Sequence, residues 1–461
     1  MSNNLENGLF IFRRDLRIVD NNGLQLLNKK CKNIFTIFIF TPEQVTSANK
    51  FKSNNAVQFM IESLNELSFQ IRKKGGKLYT FYGDNDKIVS YCVKIFMIDV
   101  VCFNLDCTPY SIKRDDSIIR LCKKMKTLVI CDYDYYLHEP GTIVSGSGNP
   151  YQKFTPYYET ALKLKVEIPS NPTKIHFSQK TVQISHIISL DDAMKKFTKI
   201  NPMILVHGGR ENAIKTLSIA LKSQNHYSMT HNELWKPTSQ LSAYIKFGCL
   251  SIREVYKHFK TNHMFIRQLM WRDFYANIMF SFPYVLGHAM KPNYERIKWH
   301  HNSVWFKAWC EGQTGFPVVD AGMRQLKETG YLHNRSRLIV ASFLVKTLLI
   351  SWQHGEKYFS EKLTDYDPAS NNGNWQWIAS TGADSQPFFR IFNPMEQGKK
   401  MDPDCKYIKT WVPELRNVSE KIIHNWDEKW KENKNVGYAK PICNYKIQKE
   451  LALKMYSSVF K

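Results

Sequence analysis

The chain has 461 residues, of which 43% are hydrophobic, and this size and composition are typical of two or three domains with large cores. Lys and Arg number 64 against 41 Asp and Glu, and the formal net charge of +23 indicates either an anionic partner, nucleic acid ahead of a membrane surface, or a basic composition without a specific partner. No apolar run could span a bilayer, the N-terminus lacks signal-peptide character and the ten cysteines show no zinc-ligand spacing, so we expect a soluble intracellular protein, nuclear or cytoplasmic, without a metal site.

The first 135 residues alternate short strand patterns with helical stretches such as 55–74. Runs rich in β-branched and aromatic residues predict five buried strands, at 8–12, 33–40, 77–82, 100–104 and 127–131. Short buried strands separated by helices predict a doubly wound parallel sheet. The sequence FRRD at 12–15 follows the first strand, where a dinucleotide-binding fold needs G-x-G-x-x-G, which disfavours a simple NAD-binding domain.

The rest of the chain divides into a connector and a helical domain. Prolines and glycines interrupt 136–205, which predicts a long connector with a helix or two. Helical periodicity dominates 206–461, where the apolar stretch 334–352 predicts one central buried helix. We therefore expect domains at 1–135 and 206–461, with the chemistry in the second.

The run DYDPASNNGNWQW at 365–377 is unusual in composition. It combines carboxylates, side-chain amides and two tryptophans with proline and glycine between them, which is too polar for a plain core helix and too aromatic for a plain loop. This composition predicts a wall that contacts a polar, flat molecule.

Two helical faces also carry candidate chemistry. Arg337 shares a face with Asn334, and a buried arginine requires a carboxylate, for which Asp365 and Asp367 are the candidates. The residue pattern alone favours an ordinary structural ion pair. Four side chains on a second face would suit bases or phosphates, although a core tryptophan is the commoner explanation: Gln268, Trp271, Arg272 and Tyr275.

Two further features are ambiguous. The hydroxyls and backbone N–H groups of 238–242 could hold phosphate at a helix start, and an ordinary N-cap explains them equally well. Trp299, Trp352 and Trp375 have no informative spacing, and each on its own is most simply a core residue.

Taken together, these segments resemble the DNA photolyase and cryptochrome family, from FRRDLR at 12–17 to WVPEL at 411–415. The specific blocks are WRDFY at 271–275, TGFPVVDA at 314–321, HNR at 333–335, ASFL at 341–344, STG at 380–382 and FRIFNP at 389–394. The resemblance implies an α/β doubly wound N-terminal domain and a large all-α FAD-binding C-terminal domain, joined by the connector.

The resemblance also implies the residues of an FAD site. The phosphates would be held by Tyr227, Thr238, Ser239, Gln240, Leu241 and Ser242. The other cofactor residues implied are Phe265, Arg272, Asn334, Arg337, Asp365, Asp367 and Asn371, with Asn371 at the N5 edge of the flavin. Trp375, Trp352 and Trp299, in that order outward, match the electron-transfer chain that photoreduces the flavin, and a helix from 338 to 352 would rise about 21 Å.

The implied activity is a carbon–carbon lyase reaction, the light-driven repair of cyclobutane pyrimidine dimers by electron transfer from excited reduced FAD. The implied partner is UV-damaged DNA. The protein would bind it as a monomer, and no membrane partner is implied. Lesion contacts would come from Trp271 and Trp377, which flank the flipped dimer, and from Gln268, Tyr275, Asn334, Arg335 and Leu338.

The choice of lesion depends on three positions. Enzymes for (6-4) photoproducts carry a histidine pair where this chain has Asn334 and Leu338, and the asparagine matches class I cyclobutane-dimer enzymes. Those enzymes usually have Glu at 268 and Met at 338, whereas Gln at 268 is common in (6-4) enzymes and animal cryptochromes. A (6-4) photolyase and a cryptochrome-type blue-light photoreceptor are therefore the alternatives, although the short remaining C-terminal segment and the net charge favour repair. The third functional alternative is a nucleic-acid binder without photochemistry. It would leave the implied FAD residues without a role.

An antenna chromophore is a separate question. The segment NLDCTPYSIKRD at 104–115 has Tyr110 and Ser111 where the folate-binding pattern has an Asn-Glu pair. The alternatives are a deazaflavin, a folate or no antenna.

Overall fold

The computed structural model describes residues 5–168, 174–180, 182 and 184–460. The first domain contains five strands: β1 (Leu5–Phe12), β2 (Cys31–Phe40), β3 (Leu78–Tyr82), β4 (Val100–Leu105) and β5 (Leu128–Tyr133). Its helices are α1 (Asn22–Asn28), α2 (Pro42–Val45), α3 (Asn54–Lys73), α4 (Asn85–Ile95) and α5 (Pro109–Lys124). The five predicted strands and the long helix α3 are confirmed, with ends that differ by at most three residues.

The strands form one sheet in the order β3-β2-β1-β4-β5, and every neighbouring pair is parallel. Alternate side chains of β1 enter different cores, since Phe10 and Phe12 pack with α1 and α3 while Leu9 and Ile11 pack with α4 and α5. Helices therefore cover both faces, which confirms the doubly wound sheet. The strand order changes direction between β1 and β4, so the residues that follow these two strands lie side by side.

The connector, 136–205, contains α6 (Phe154–Ala161) and α7 (Leu190–Phe197). Residues 169–173, 181 and 183 of this predicted connector lie outside the described residues. The two boundaries, after residues 135 and 205, stay a prediction.

The remainder of the chain is helical, apart from loops and short 3₁₀ turns. Its helices are α8 (Arg210–Ser223), α9 (Tyr227–Thr230), α10 (Ser242–Lys246), α11 (Ile252–Phe259), α12 (His263–Ser281), α13 (Ser303–Glu311), α14 (Pro317–Thr329), α15 (Asn334–Lys346), α16 (Trp352–Lys362), α17 (Pro368–Ile378), α18 (Pro394–Met401), α19 (Lys406–Trp411), α20 (Glu420–Ile423), α21 (Trp426–Lys429) and α22 (Tyr445–Ser457). Within the described residues, no helix is long and apolar enough to cross a membrane.

The prediction of one helix over 334–352 is wrong. α15 ends at Lys346, Leu349 takes a left-handed conformation with φ of 60°, and Ser351 caps α16 by accepting a hydrogen bond from the Gln353 N–H. The turn residues Leu348, Leu349 and Ile350 are all buried. Because the turn is as apolar as the helix, hydrophobicity alone does not reveal the break.

The sheet domain and the helical domain pack closely. The ring of Phe59 in α3 lies 5.2 Å from the rings of Tyr244 in α10 and of Phe247. The Leu16 N–H donates to the Phe247 carbonyl at 3.0 Å. At Gly248, which has φ of 66°, a Cβ would lie 2.4 Å from the Arg14 carbonyl oxygen, so the close approach of the two backbones requires glycine.

Candidate functional site

The helical domain encloses a cavity of about 460 Å³ between α10, α12, α15 and α17. Most of the predicted site residues line this cavity: Tyr227, Thr238, Ser239, Leu241, Ser242, Phe265, Gln268, Trp271, Arg272, Tyr275, Asn334, Arg337, Leu338, Asp365, Asp367, Asn371, Trp375 and Trp377. Four do not border it: Gln240, Trp299, Arg335 and Trp352. The cavity therefore brings together predicted cofactor residues and predicted lesion residues, while the role of each stays a prediction.

Helix α12 supplies an aromatic and polar wall. Gln268, Trp271, Arg272 and Tyr275 border the cavity together, as their helical spacing predicts. The indole of Trp271 stacks on Phe154 of the connector at 3.8 Å with an interplanar angle of 6°. One face of the indole is thus covered by protein, which fixes its orientation in the cavity wall.

Arg337 forms the predicted carboxylate pair. Its Nη2 lies 2.9 Å from Asp365 Oδ2, and its Nε donates to the Leu332 carbonyl at 2.9 Å. Burial lowers the pKa of Arg337, but the Asp365 carboxylate more than offsets that effect, and the pKa lies above its usual value. The other carboxylate oxygen, Asp365 Oδ1, is buried and has no hydrogen-bond partner among the described residues.

Asp367 has a different partner, Arg14 from the sheet domain. Arg14 Nη2 lies 2.8 Å from Asp367 Oδ2, and Arg14 Nη1 lies 3.1 Å from Asp106 Oδ2. Asp367 also caps α17, because its Oδ1 accepts the Ser370 N–H at 3.0 Å. Burial raises the pKa of Asp367, but Arg14, then Arg272 and Lys246, lower it well below its usual value, so the carboxylate stays ionised.

The segment before α10 has an irregular backbone. Gln240 has φ of 55°, and the preceding Thr238 hydroxyl is hydrogen-bonded to the Tyr331 hydroxyl. Leu241 occupies the N-cap position and supplies no side-chain cap, so the ordinary N-cap explanation of 238–242 is wrong. The first N–H groups of α10 therefore have no side-chain acceptor at this position, beside a wall rich in hydroxyls.

The tryptophans differ in burial. Trp375 borders the cavity and packs so closely on Gly355 of α16 that a Cβ there would lie 2.1 Å from its Cη2. Trp352 is buried in the same hydrophobic cluster, and Trp299 is half-buried at its edge. Trp375 and Trp352 are therefore both buried, and only Trp299, the residue predicted to be outermost, is partly exposed.

Arg335 and the two residues of the antenna segment, Tyr110 and Ser111, form hydrogen bonds away from the cavity. Arg335 Nε donates to Asn232 Oδ1 at 3.0 Å and borders a second pocket. The Tyr110 hydroxyl lies 3.1 Å from Thr41 Oγ1, and Ser111 Oγ accepts from the Thr108 hydroxyl at 2.8 Å. Both antenna-segment side chains are thus engaged inside the sheet domain.

Sequence reasoning missed several residues around the cavity. Lys246 and Tyr331 border it, and Arg14 and Glu356 support its wall through Asp367 and Asn371. Burial, followed by the charge of Arg14, lowers the pKa of Lys246 to about 8. A lone lysine in the apolar stretch AYIKFGCL was a usable signal for Lys246, and FRRD at a strand end was one for Arg14.

The described residues contain no group of three or more His, Cys, Asp or Glu side chains that could hold a metal ion.

Comparisons with known proteins identify the family. Residues 9–173 match the DNA photolyase family model, and residues 265–458 match the FAD binding domain of DNA photolyase. A deoxyribodipyrimidine photo-lyase of Buchnera aphidicola is 35% identical, with 97% of each chain covered.

Three solved structures have the same fold. An archaeal photolyase from Sulfolobus tokodaii, described with two FAD molecules that imply a novel light-harvesting cofactor, is 39% identical with a TM-score of 0.88, covering 98% of this chain and all of its own. A class III photolyase from Agrobacterium tumefaciens is 31% identical with a TM-score of 0.92, covering 100% and 99%. A Synechocystis cryptochrome is 26% identical with a TM-score of 0.89, covering 99% and 100%. From its fold, its cavity and these matches, the chain belongs to the DNA photolyase family.

Proposed function

We propose that the protein repairs cyclobutane pyrimidine dimers in DNA in a light-driven reaction, with FAD bound in the helical-domain cavity. The observation that carries this proposal is that the predicted cofactor residues and the predicted lesion residues line one cavity. The Arg337–Asp365 pair lies in its wall together with Trp271, Trp377 and Asn334. Curated relatives over nearly the full chain bear the name deoxyribodipyrimidine photo-lyase, which supports the same activity.

The cavity residues fit FAD. Asp365 Oδ1 is a buried acceptor without a partner among the described residues, which suits an N–H donor on a flavin ring. The uncapped N–H groups of α10 and the hydroxyls of Thr238, Ser239 and Ser242 suit phosphates. When bound in its reduced form and excited by light, FAD supplies the electron that opens the cyclobutane ring and recovers it afterwards.

The chain's own residues bind the damaged DNA, orient the lesion and exclude water from it. Its positive charge attracts the DNA backbone, and the lesion leaves the duplex to enter the cavity. Trp271, held against Phe154, borders the cavity with an indole that suits stacking on a pyrimidine, and Trp377 supplies a second indole. Asn334 offers both an acceptor and two donors to the pyrimidine edges.

A second set of residues would supply electrons to FAD from the surface. We propose the order Trp375, Trp352, Trp299, which is supported by the place of Trp375 at the cavity and by the partial exposure of Trp299. Asn371 is fixed beside the cavity, because its Nδ2 donates to the Glu356 carbonyl at 3.0 Å, and we propose that it orients the reactive edge of the flavin.

A photoreceptor is the second candidate. Gln268, at the cavity wall, lacks the negative charge of the glutamate common in dimer-repairing relatives, and the fold is also that of a Synechocystis cryptochrome. The two candidates differ in whether illumination changes DNA.

The test is illumination of the reduced protein with oligonucleotides that contain either a cyclobutane dimer or a (6-4) photoproduct. We expect restoration of normal thymines for the dimer only, and none in the dark. Repair of the (6-4) product alone would replace the proposed lesion, and repair of neither would favour the photoreceptor. Trp377→Phe should reduce dimer repair, whereas Trp430→Phe, a half-buried indole outside the cavity, should not.

A further inference from the structure

Arg14 belongs to the sheet domain but acts on the wall of the cavity. It follows β1, and Asp106 follows the neighbouring strand β4, so the parallel sheet brings the two side chains to one edge. The guanidinium bridges Asp106 and Asp367, with N–O distances of 3.1 and 2.8 Å. Arg14 and Asp367 are 353 positions apart in the chain, so this contact joins the two domains.

The bridge is shielded from water. Arg14 is 8% exposed, Asp106 9% and Asp367 7%. The guanidinium lies over the ring of Tyr135 at 5.1 Å, and the Tyr136 hydroxyl donates to Asp106 Oδ1 at 3.1 Å. Charges in such an environment interact over longer distances than charges at the surface.

Asp367 transmits the position of Arg14 to the cavity. Its carboxylate caps α17, and α17 carries Asn371, Trp375 and Trp377, which all border the cavity. Arg14 itself does not border the cavity, so its effect on a bound molecule must pass through Asp367.

The negative charge of Asp367 is balanced by neighbouring cationic side chains. Lys246 and Arg272 border the cavity beside Asp367, and together with Arg14 they keep the carboxylate ionised. Without Arg14, the negative charge of Asp367 would be less compensated at the cavity wall. Reduction adds negative charge to a flavin, so such a change would disfavour the reduced form more than the oxidised form.

We infer that Arg14 is a positioning residue of the FAD site, which through Asp367 sets how strongly the cavity favours reduced FAD over oxidised FAD. This inference rests on the proposed binding of FAD in this cavity and is independent of the lesion that is repaired. It gives the sheet domain a part in the redox chemistry of a cofactor held by the other domain.

The test measures dissociation constants of oxidised and reduced FAD for the full-length protein, without DNA. Arg14→Gln should raise the ratio of the reduced-form constant to the oxidised-form constant about tenfold, which lowers the two-electron midpoint potential by about 30 mV. Asp367→Asn should change the ratio in the opposite direction. In the double variant the ratio should equal that of Asp367→Asn to within about threefold, because Arg14 acts through the charge of Asp367.

Two further variants separate charge from general disruption. Arg14→Lys keeps the charge, so the ratio should stay within about threefold of the wild type. Arg13→Gln removes the neighbouring buried arginine, which pairs with Asp115 at 2.6 Å inside the sheet domain, and should leave the ratio unchanged. If Arg14→Gln does not bind FAD, Asp367→Asn and Arg14→Lys still give the ratio.

An unchanged ratio in Arg14→Gln or in Asp367→Asn would overturn the inference, as would equal shifts in Arg14→Gln and Arg13→Gln. If Arg14→Gln shifted the ratio as much in the Asp367→Asn background as in the wild type, Arg14 would act independently of Asp367, which would also overturn the inference. Because no repair is measured, failure of the proposed repair activity would leave these results intact.

Discussion

Glu356 is a buried carboxyl group directly behind the cavity wall. It is 6% exposed, and its Oε1 accepts a hydrogen bond from Asn372 Nδ2 at 2.8 Å, while its backbone carbonyl holds Asn371. Burial raises its pKa to about 7, against the smaller opposing effect of the Asn372 hydrogen bond. The folded protein therefore holds a proton on Glu356 under conditions in which the unfolded chain releases it.

Replacing Glu356 should change the pH dependence of stability. The unfolded group ionises near pH 4.3 and the folded group near 7, so wild-type stability falls as the pH rises through this interval. Glu356→Gln keeps the acceptor and removes the charge, so its gain in unfolding free energy should grow from about 1 kcal/mol at pH 5 to about 3 kcal/mol at pH 8. Urea unfolding at both pH values measures this gain. Glu450→Gln, at an exposed position on α22, should show no such growth.

Replacing Gln268 should change the yield of dimer repair. Gln268→Glu places a carboxylate at the cavity wall, where it can accept a proton and strong hydrogen bonds from a bound pyrimidine. We expect the yield of dimer repair per absorbed photon to rise at least about twofold, with FAD content unchanged. An equal or lower yield at equal FAD content would contradict this expectation.

The carboxylate partner of Arg337 was easier to predict than the arginine partner of Asp367. The requirement of a buried Arg337 for a carboxylate follows from helical spacing and desolvation cost, and the pair with Asp365 is confirmed. The partner of Asp367 could not be found in this way. Arg14 reaches it only because the strand order and the packing of two domains bring together residues 353 positions apart.

At the scale of elements, α16 is positioned by close packing against α17. Gly355 lies under the Trp375 indole, and an added Cβ would also lie 2.7 Å from Leu344 Cδ2 of α15. The glycine therefore sets how near the three helices approach one another beside the cavity.

Gly355→Ala should force these helices apart. We expect a loss of about 2 kcal/mol in unfolding free energy, the typical cost of overpacking, with a change in the fluorescence of buried tryptophan. Gly398→Ala on α18 is the matched control, because its nearest contact would be 3.4 Å, and a gain of up to about 1 kcal/mol is expected there. Equal stability changes in the two variants would refute this account of the packing.

Helix α16 also carries one residue of the proposed electron-transfer chain. Trp352 starts α16, and it is buried in the hydrophobic cluster that contains Trp375. Trp352→Phe should slow photoreduction of oxidised FAD at least about tenfold, while dimer repair by chemically reduced protein changes less than about twofold. Trp426→Phe, a buried indole from α21, should leave both rates unchanged. Equal photoreduction in Trp352→Phe and the wild type would remove Trp352 from the proposed chain.

The strands were predictable from the sequence because each is a short run rich in β-branched and aromatic residues bounded by polar or turn residues, although β5, at the sheet edge, is only partly buried. Helix ends in the cavity region were not, since the turn at 347–351 is buried and its three central residues are apolar. Burial in the interior of a large domain removes the polarity contrast that marks a helix end.

At the scale of the whole molecule, the net charge of +23 predicts strong dependence of DNA binding on salt. Neutralised phosphates release counterions, so affinity for both damaged and undamaged duplexes should fall at least about 100-fold between 50 and 200 mM salt. The ratio of the two affinities should change much less, because recognition of the flipped lesion is local. Fluorescence anisotropy titrations of the two duplexes measure both quantities, and a salt-independent affinity would contradict an electrostatic capture surface.

The approach of the two backbones at Gly248, the Phe59 contacts and the buried Arg14 bridge have a consequence for how the chain can be divided. An isolated segment 206–461 would expose the rings that Phe59 covers and would leave Asp367 without its guanidinium partner. Breaking a buried pair by removing one partner typically costs about 3–5 kcal/mol, a large share of a domain's stability. The two domains should therefore unfold in a single cooperative transition, and the FAD-binding half should not behave as an independent module that can be grafted onto another sheet domain.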